Sequence, residues 1–129
     1  MSEMSEMSEM SLSVTFPHHR FDAYRVALEM ATEAKAVADR VPRGYRSVAD
    51  HLVRSAGSTV LLIAEGASRF GRAQKRQRYQ EARGECGEAA AAVELLLALG
   101  LVPRQQAQGT LELAARVGAM LTRLVAGMG

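Results

Sequence analysis

Four segments of the sequence repeat apolar residues at steps of three and four, and proline or glycine interrupts the repeat between them. This spacing places the apolar side chains of each segment on one face of an α-helix. The predicted helices span about 21–40, 45–66, 73–99 and 104–126. The chain has no Trp and only three Phe and three Tyr, so it lacks the aromatic residues that sheets favour. We therefore expect an all-α fold, and four helices joined by short loops pack most simply as an up-down-up-down antiparallel bundle.

The N-terminal residues do not share this pattern. They open with three Met-Ser-Glu triplets, MSEMSEMSEM, and continue with SLSVT. Because no helical stripe is present, residues 1–15 are predicted to form a disordered or loosely held tail, and residues 16–129 one four-helix bundle. A chain of 129 residues is enough for a single core and too short for two ordinary domains.

Three features of the sequence bear on location. No Lys or Arg precedes Arg20, so the charged start of a secretory signal is missing. Cys86 is the only cysteine and cannot form an intrachain disulfide. The longest uncharged stretch after the tail, residues 55–64, is about half as long as a bilayer crossing. We expect a cytoplasmic protein without a transmembrane helix.

Positive charge is concentrated in the middle of the chain. Residues 40–83 hold ten basic and three acidic side chains, a balance of +7, whereas the whole chain carries +2. Within this block, residues 69–78 read RFGRAQKRQR, with five cations and no acid. A run of this kind attracts polyanions, and it predicts salt-sensitive, sequence-tolerant contact with nucleic-acid phosphates. The predicted nucleic-acid-binding residues are Arg69, Phe70, Arg72, Lys75, Arg76 and Arg78, with Phe70 available to stack on unpaired bases.

Helices two and three are predicted to fold back on each other about a loop near residue 70. This register places Gly57 opposite Gly84. Glycine inside a helix costs about 1 kcal/mol relative to alanine, so the pair suggests closely approaching backbones. Gly66 is the predicted end of helix two, and Gly100 is the predicted stop after helix three.

The same register predicts two salt bridges between these helices. It places Arg54 beside Glu88, and Glu65 opposite Arg76. Because each acid has a basic partner, we expect a structural role for these side chains rather than paired-carboxylate catalysis.

The second helix also resembles a known family. Its HLVRSAGSTVLLIAEG, residues 51–66, is similar to the signature of four-helix-bundle proteins first noticed in intervening sequences of large-subunit ribosomal RNA genes. The matching positions are Leu52, Arg54, Ser58, Ile63, Ala64, Glu65 and Gly66. The sequence departs from the signature at His51 (usually Gln), Thr59 (usually Ile) and Leu62 (usually Asn). YQEARGECGE, residues 79–88, resembles a second family stretch, and the resemblance spans about 16–126.

The resemblance implies a small bundle that assembles into a homo-oligomeric ring, commonly a pentamer, with no enzymatic activity attached to the fold. A related branch, the accessory variability determinant of diversity-generating retroelements, binds RNA and a reverse transcriptase through a basic surface. Because Leu62 replaces the usual Asn, no role of that amide is carried over.

The residues that could support catalysis or bind a metal form no recognisable pattern. The three histidines are His18, His19 and His51, and no Glu-x-x-His pair occurs, so the array of di-iron bundles is missing. The predicted register puts His51 about one turn from Cys86, but no oxyanion donor can be named beside such a pair. The sequence also has no P-loop or dinucleotide fingerprint. We expect no enzyme activity, no metal and no cofactor.

Helix four carries two apolar stripes, although a bundle helix needs only one facing the core. An exposed second stripe would exceed the apolar patch that soluble monomers usually tolerate. We therefore expect a homo-oligomer, with a pentamer favoured by the resemblance, although a two-fold dimer would bury the same surface. The predicted interface residues are Leu113, Val117 and Leu124.

Two functions fit these observations. The first is a non-enzymatic oligomeric adaptor that binds structured RNA, or a nucleic-acid enzyme such as a reverse transcriptase, through the end where helices two and three meet. The second is a structural protein-interaction scaffold without nucleic-acid binding, in which the basic run only solvates one face.

Overall fold

The computed structural model of the protein describes residues 14–128. Its α-helices are α1 (Asp22–Asp39), α2 (Arg46–Ser68), α3 (Arg72–Ala98) and α4 (Arg104–Ala126). Short 3-10 turns at Pro17–Arg20 and Arg43–Tyr45 precede α1 and α2. Residues 14–128 contain no strand, so the all-α class is confirmed, and each predicted helix boundary lies within two residues of the observed one. The Met-Ser-Glu repeat, and with it most of the predicted tail, lies outside the described residues.

The helices form a four-sided bundle in which each helix packs on two others. The contact between α2 and α3 is the largest, while the diagonal contact of α1 with α3 is slight. Sequence neighbours run in opposite directions: Glu65 pairs with Arg78 near the α2–α3 loop, and His51 pairs with Glu88 farther along the same two helices. The short loops account for this arrangement, because they leave each helix no option but to return beside the previous one.

The core consists of the predicted apolar stripes. Its largest fully buried apolar side chains are Tyr79, Met30, Leu52, Ile63, Leu96 and Leu121. Burying a large apolar side chain contributes roughly 1.5–3 kcal/mol, so these residues anchor the bundle. Buried alanines from all four helices fill the space between them.

The predicted stop after helix three is confirmed at Gly100. This residue has a φ of 73°, in the left-handed region that glycine adopts without steric cost. The N–H of Leu101 donates to the carbonyl of Leu96 at 3.0 Å, and the N–H of Gly100 donates to that of Leu97 at 3.0 Å. This pair of hydrogen bonds is the Schellman motif, and it satisfies carbonyls that the end of α3 would leave free.

Gly66 does not end α2, contrary to the prediction. The helix continues to Ser68, and Gly66 lies buried within its last turn. A β-carbon at Gly66 would lie 2.6 Å from Cε1 of Tyr79. The ring of Tyr79, rather than the end of the helix, therefore accounts for a glycine here.

The predicted close approach at Gly57 and Gly84 is wrong. Gly84 is exposed and Gly57 is partly buried, and a β-carbon at either position would meet no atom of a neighbouring helix within 4 Å. Both glycines lie away from the seam that joins α2 to α3. The backbone of α2 is instead approached closely at Gly66.

The predicted oligomer interface on α4 is also wrong in its central residue. Val117 is fully buried in the core, while Leu113 and Leu124 are partly buried against it. A helix in a four-sided bundle touches two neighbours, so both apolar stripes of α4 face the inside of the bundle. The large exposed apolar side chains between residues 21 and 128 are Tyr45, Val53, Leu61, Phe70, Leu95 and Leu99.

None of the helices in the described part of the chain combines the length and the apolar character that a membrane crossing requires.

Candidate nucleic-acid interface

One end of the bundle gathers basic side chains from α1, α3 and α4, from the turn before α1 and from the loop after α2. Because neighbouring helices are antiparallel, the first turns of α1 and α3 meet the last turns of α2 and α4 at this end. Two contacts join these segments: Arg72 Nη2 donates to the carbonyl of Gly127 at 2.8 Å, and the rings of Phe21 and Tyr79 meet edge to face at 6.3 Å. We call this region the basic end. Its cations are Arg20, Arg25, Arg69, Arg72, Lys75, Arg76, Arg78 and Arg123, and its acids are Asp22, Glu29, Glu65 and Glu81.

Sequence reasoning missed three of these cations. Arg20, Arg25 and Arg123 lie outside the basic block of residues 40–83, so a search along the chain does not group them with it. The antiparallel topology brings them to the same end. A signal was available, because each lies within about one turn of a predicted helix terminus, and the predicted bundle puts those termini together.

Glu65 is the central acid of the basic end, and its cross-helix partner differs from the prediction. Its Oε1 lies 2.9 Å from Nη2 of Arg69 and 3.5 Å from Nε of Arg78, and no ion pair joins it to Arg76. Arg78 also contacts Glu81 at 3.1 Å. The predicted salt bridge between α2 and α3 is therefore present, but its basic partner is two residues farther along α3.

Two cations of the basic run bind the ends of helices. Lys75 Nζ donates to the carbonyls of Ala67 at 3.0 Å and Gly66 at 3.3 Å, in the last turn of α2. Arg72 binds the carbonyl of Gly127 just after α4. Helix C-termini carry unpaired carbonyls and a partial negative charge, which these side chains satisfy. Lys75 and Arg72 thus stabilise the bundle, a role that the run of charge alone did not reveal.

Arg76 and Phe70 complete the predicted set. Arg76 is partly buried, and its Nε has no hydrogen-bond partner within residues 14–128. The ring of Phe70 is fully exposed in the α2–α3 loop. The loop itself is held on both sides, since the N–H of Arg69 donates to the carbonyl of Gly66 at 3.3 Å and that of Lys75 to Gly71 at 3.0 Å.

The start of the described chain adds a cluster of aromatic rings beside Arg20. The ring of Phe16 stacks on that of His18, with centroids 5.7 Å apart and planes 9° apart. His18 packs against Tyr24 at 4.4 Å. The N–H of Phe16 donates to Nδ1 of His19 at 3.1 Å. Burial, together with the neighbouring His19, lowers the pKa of His18, so the ring is neutral at physiological pH.

The predicted salt bridge between Arg54 and Glu88 is wrong, because His51 lies between them. Arg54 Nη2 contacts Nδ1 of His51 at 2.7 Å, and Nε2 of His51 lies 3.9 Å from Glu88 Oε2. Arginine can only donate, so Nδ1 accepts and Nε2 faces the carboxylate. The three side chains form a chain of contacts across α2 and α3. Arg54 and Glu88 are therefore linked through the imidazole of His51 and not by a direct salt bridge.

Cys86 and His51 are not brought together as a catalytic pair. Cys86 is buried, and its Sγ donates to the carbonyl of Ala114 at 3.3 Å, whereas His51 lines a groove on the α2–α3 side of the bundle. Burial raises the pKa of the Cys86 thiol to about 11, so the thiol is protonated at neutral pH. A neutral buried thiol is a poor nucleophile. Within residues 14–128, no group of three or more His, Cys, Asp or Glu side chains is placed to hold a metal ion.

Comparison with known proteins identifies a family. A search of curated protein sequences found no match to the chain. The profile of the 23S rRNA-intervening sequence protein family matches residues 19–123, which include all of α1, α2 and α3 and most of α4. The matched region contains the Ile-Ala-Glu-Gly element of α2, where Glu65 pairs across the helices and Gly66 makes room for Tyr79. The chain therefore belongs to the family of 23S rRNA-intervening sequence proteins.

Proposed function

We propose that this protein is a non-enzymatic, homo-oligomeric adaptor that binds structured RNA, alone or held by a nucleic-acid enzyme, through the basic end. The convergence of cations from α1, α3, α4 and the adjoining turns at one end of the bundle is the observation that supports this function. A surface of this kind neutralises phosphates and releases their counterions, which makes binding tight at low salt and weak at high salt.

The helix termini add to the positive potential of the basic end. The N-termini of α1 and α3 lie there, and a helix N-terminus carries a partial positive charge. The C-termini of α2 and α4 would oppose it, but Lys75 and Arg72 bind their carbonyls. The electrostatic potential of the basic end therefore stays positive, even though two of its cations bind helix carbonyls.

The ion pairs of Glu65 are compatible with binding a phosphate. The carboxylate of Glu65 and the guanidinium of Arg69 are both about two-fifths exposed. An ion pair this accessible to water typically contributes about 1 kcal/mol or less to the stability of the fold. A phosphate can therefore replace Glu65 as the partner of Arg69 at little cost in folding free energy.

The exposed apolar side chains support self-association. Val53 and Leu61 on α2, with Leu95 and Leu99 at the end of α3, expose large apolar surfaces. Scattered single residues are ordinary, but several on one pair of helices favour an interface. We place the proposed contact on these exposed apolar side chains of α2 and α3 rather than on α4, with a closed ring as the assembly that the family resemblance favours.

The same apolar surface favours a second candidate, a protein-interaction scaffold that binds no nucleic acid. In that case the cations of the basic end serve only to cap helices and to pair with Glu65, Glu81 and Asp22. The two candidates differ in one measurable property, retention of RNA at low salt.

The test compares two variants that remove the same charge from opposite ends of the bundle. The first replaces Arg20, Arg69, Arg76 and Arg123 with Gln, which spares the helix-capping Arg72 and Lys75. The control replaces Arg40, Arg43, Arg46 and Arg104 with Gln at the other end. We expect the first variant to bind a fluorescent structured RNA about tenfold more weakly, with a shallower dependence on salt, and the control to bind like the wild type.

Equal losses in the two variants would show that total charge, and not the basic end, carries the binding. If the wild type retains no RNA even at low salt, the scaffold is the correct function.

A further inference from the structure

We infer that the basic end selects unpaired nucleotides, whose bases stack on two aromatic rings at its border, Phe70 and Phe16. This inference rests on the proposed function, since it names the form of RNA that the same surface takes. Phosphate contacts alone do not distinguish single strands from duplexes. Aromatic rings do distinguish them, because they stack on the bases of a single strand.

Phe70 is a large apolar side chain held in water. Its ring is fully exposed, although the loop that carries it is fixed by backbone hydrogen bonds at Arg69 and at Lys75. Arg69 and Arg72 lie on either side of it in the sequence. A ring between two cations offers stacking to a base and charge to the phosphates that flank that base.

Phe16 is a second exposed ring, and it is fixed by its neighbours. It is 52% exposed, and its stacking on His18 leaves the rest of the ring open to solvent. The hydrogen bond from its N–H to His19 and the packing of His18 on Tyr24 hold this cluster in place. Because the ring is already ordered, a base that stacks on it does not have to order it.

The two rings border the same surface. The 3-10 turn Pro17–Arg20, which follows Phe16, packs against α2 and against the first turn of α1. The loop with Phe70 follows the last turn of α2. Both rings therefore lie at the basic end, with its arginines available to the phosphates between two stacked bases.

A duplex cannot use these rings. Its bases are paired and stacked on one another, so an aromatic side chain reaches them only at an end or at a distorted step. Bases in loops, bulges and single strands have a free face. The expected ligand is therefore the unpaired part of a structured RNA.

The experiment measures affinity for two labelled probes: a single-stranded RNA of about 16 nucleotides without self-complementarity, and the duplex of that strand with its complement. For Phe70→Ala we expect about tenfold weaker binding of the single strand and little change for the duplex. Phe16→Ala should act in the same direction, and the double variant should lose more than either. Tyr45→Ala, which removes an exposed aromatic ring at the opposite end of the bundle, is the matched control and should bind like the wild type.

A spectroscopic variant reports on stacking directly. The chain has no tryptophan, so Phe70→Trp introduces a single indole at the tip of the loop. We expect it to retain the affinity of the wild type for the single strand, and its fluorescence to be quenched by the single strand but not by the duplex.

The outcomes separate this inference from the proposed function. If both probes bind equally and Phe70→Ala leaves binding unchanged, base stacking is wrong while RNA binding stands. If the wild type binds neither probe, the proposed function itself fails. If Phe70→Ala changes the mass of the protein in solution and not its preference for the single strand, Phe70 is a contact between copies, and the inference is overturned.

Discussion

A β-carbon on Gly66 of α2 would lie 2.6 Å from Cε1 and 2.9 Å from Cδ1 of Tyr79 on α3. The ring of Tyr79 is fully buried and meets Phe21 edge to face on another side, so it has no room to withdraw. Only glycine leaves the space that this ring occupies. The pair thereby sets how closely α2 and α3 approach near their loop.

Gly66→Ala should therefore destabilise the protein. We expect the free energy of unfolding to fall by roughly 1–3 kcal/mol, because the added methyl group overpacks the site, although alanine is the better helix former. Chemical denaturation measures the change. Gly84→Ala is the matched control: it lies within α3, where a β-carbon meets nothing, and it should stabilise the protein by up to about 1 kcal/mol. Equal effects of the two substitutions would refute the packing argument.

Lys75→Gln should weaken the end of α2. The ammonium group of Lys75 binds two carbonyls in the last turn of that helix, and the shorter neutral amide cannot satisfy both. We expect a loss of about 1 kcal/mol in the free energy of unfolding. Lys35→Gln is a suitable control, since Lys35 is mostly exposed and contacts only Asp39. A larger loss from Lys35→Gln would contradict the capping role.

The thiol of Cys86 should be inert in the folded protein. At about pH 8, N-ethylmaleimide should label it far more slowly in the native state than in urea, because the thiol is buried and protonated. Mass spectrometry of the labelled protein checks this. Rapid labelling of the native protein would place the thiol at the surface and contradict the structure.

The same thiol should make stability depend on alkaline pH. Burial raises its pKa from 9.0 to about 11, so folding favours the protonated form. Its contribution is complete below the unfolded value and is lost as the pH rises through the folded one. Cys86→Ala should therefore lose less stability than the wild type between about pH 9 and 11. Identical profiles of the two proteins would rule out this linkage.

Glu65→Gln should strengthen RNA binding. It removes the acid that pairs with both Arg69 and Arg78, and so raises the positive potential of the basic end. We expect a tighter complex at low salt and only a small loss of stability, since the pairs are partly exposed. Glu33→Gln changes the net charge equally in the far half of α1 and serves as the control. Weaker binding by Glu65→Gln would mean that the carboxylate orients the arginines for RNA.

Self-association should depend on the exposed apolar side chains of α2 and α3. Light scattering of the wild type should give a mass above the 13.9 kDa of one chain. Leu61→Lys together with Leu95→Lys should lower that mass while the helices stay folded, because both side chains are exposed. Val117→Asp should instead unfold the protein, since it puts a charge in the core. A wild type that stays monomeric in dilute solution would refute the oligomer.

Some features of this protein could be predicted because they depend on residues close together in the sequence. The helix starting at Arg104 and the left-handed stop at Gly100 follow from local periodicity and from the chemistry of proline and glycine. The basic run of residues 69–78 is likewise recognisable from the sequence, because its cations are close together in the chain. Even the salt bridge from Glu65 to α3 was predicted to within two residues, because a short loop fixes the register of a helical hairpin.

Other features depend on which surfaces the neighbouring helices cover. Both stripes of α4 are internal because α4 packs on α1 and on α3, and periodicity alone cannot tell a second packed face from an exposed one. Gly66 is matched to the ring of Tyr79, and Arg20 and Arg123 join the basic end, through contacts between residues far apart in the chain. The sequence alone determines where helices form, because that depends on interactions within a few residues. Only the tertiary structure decides the role of each exposed or small residue, because that role depends on the length and direction of the side chains that contact it from another helix.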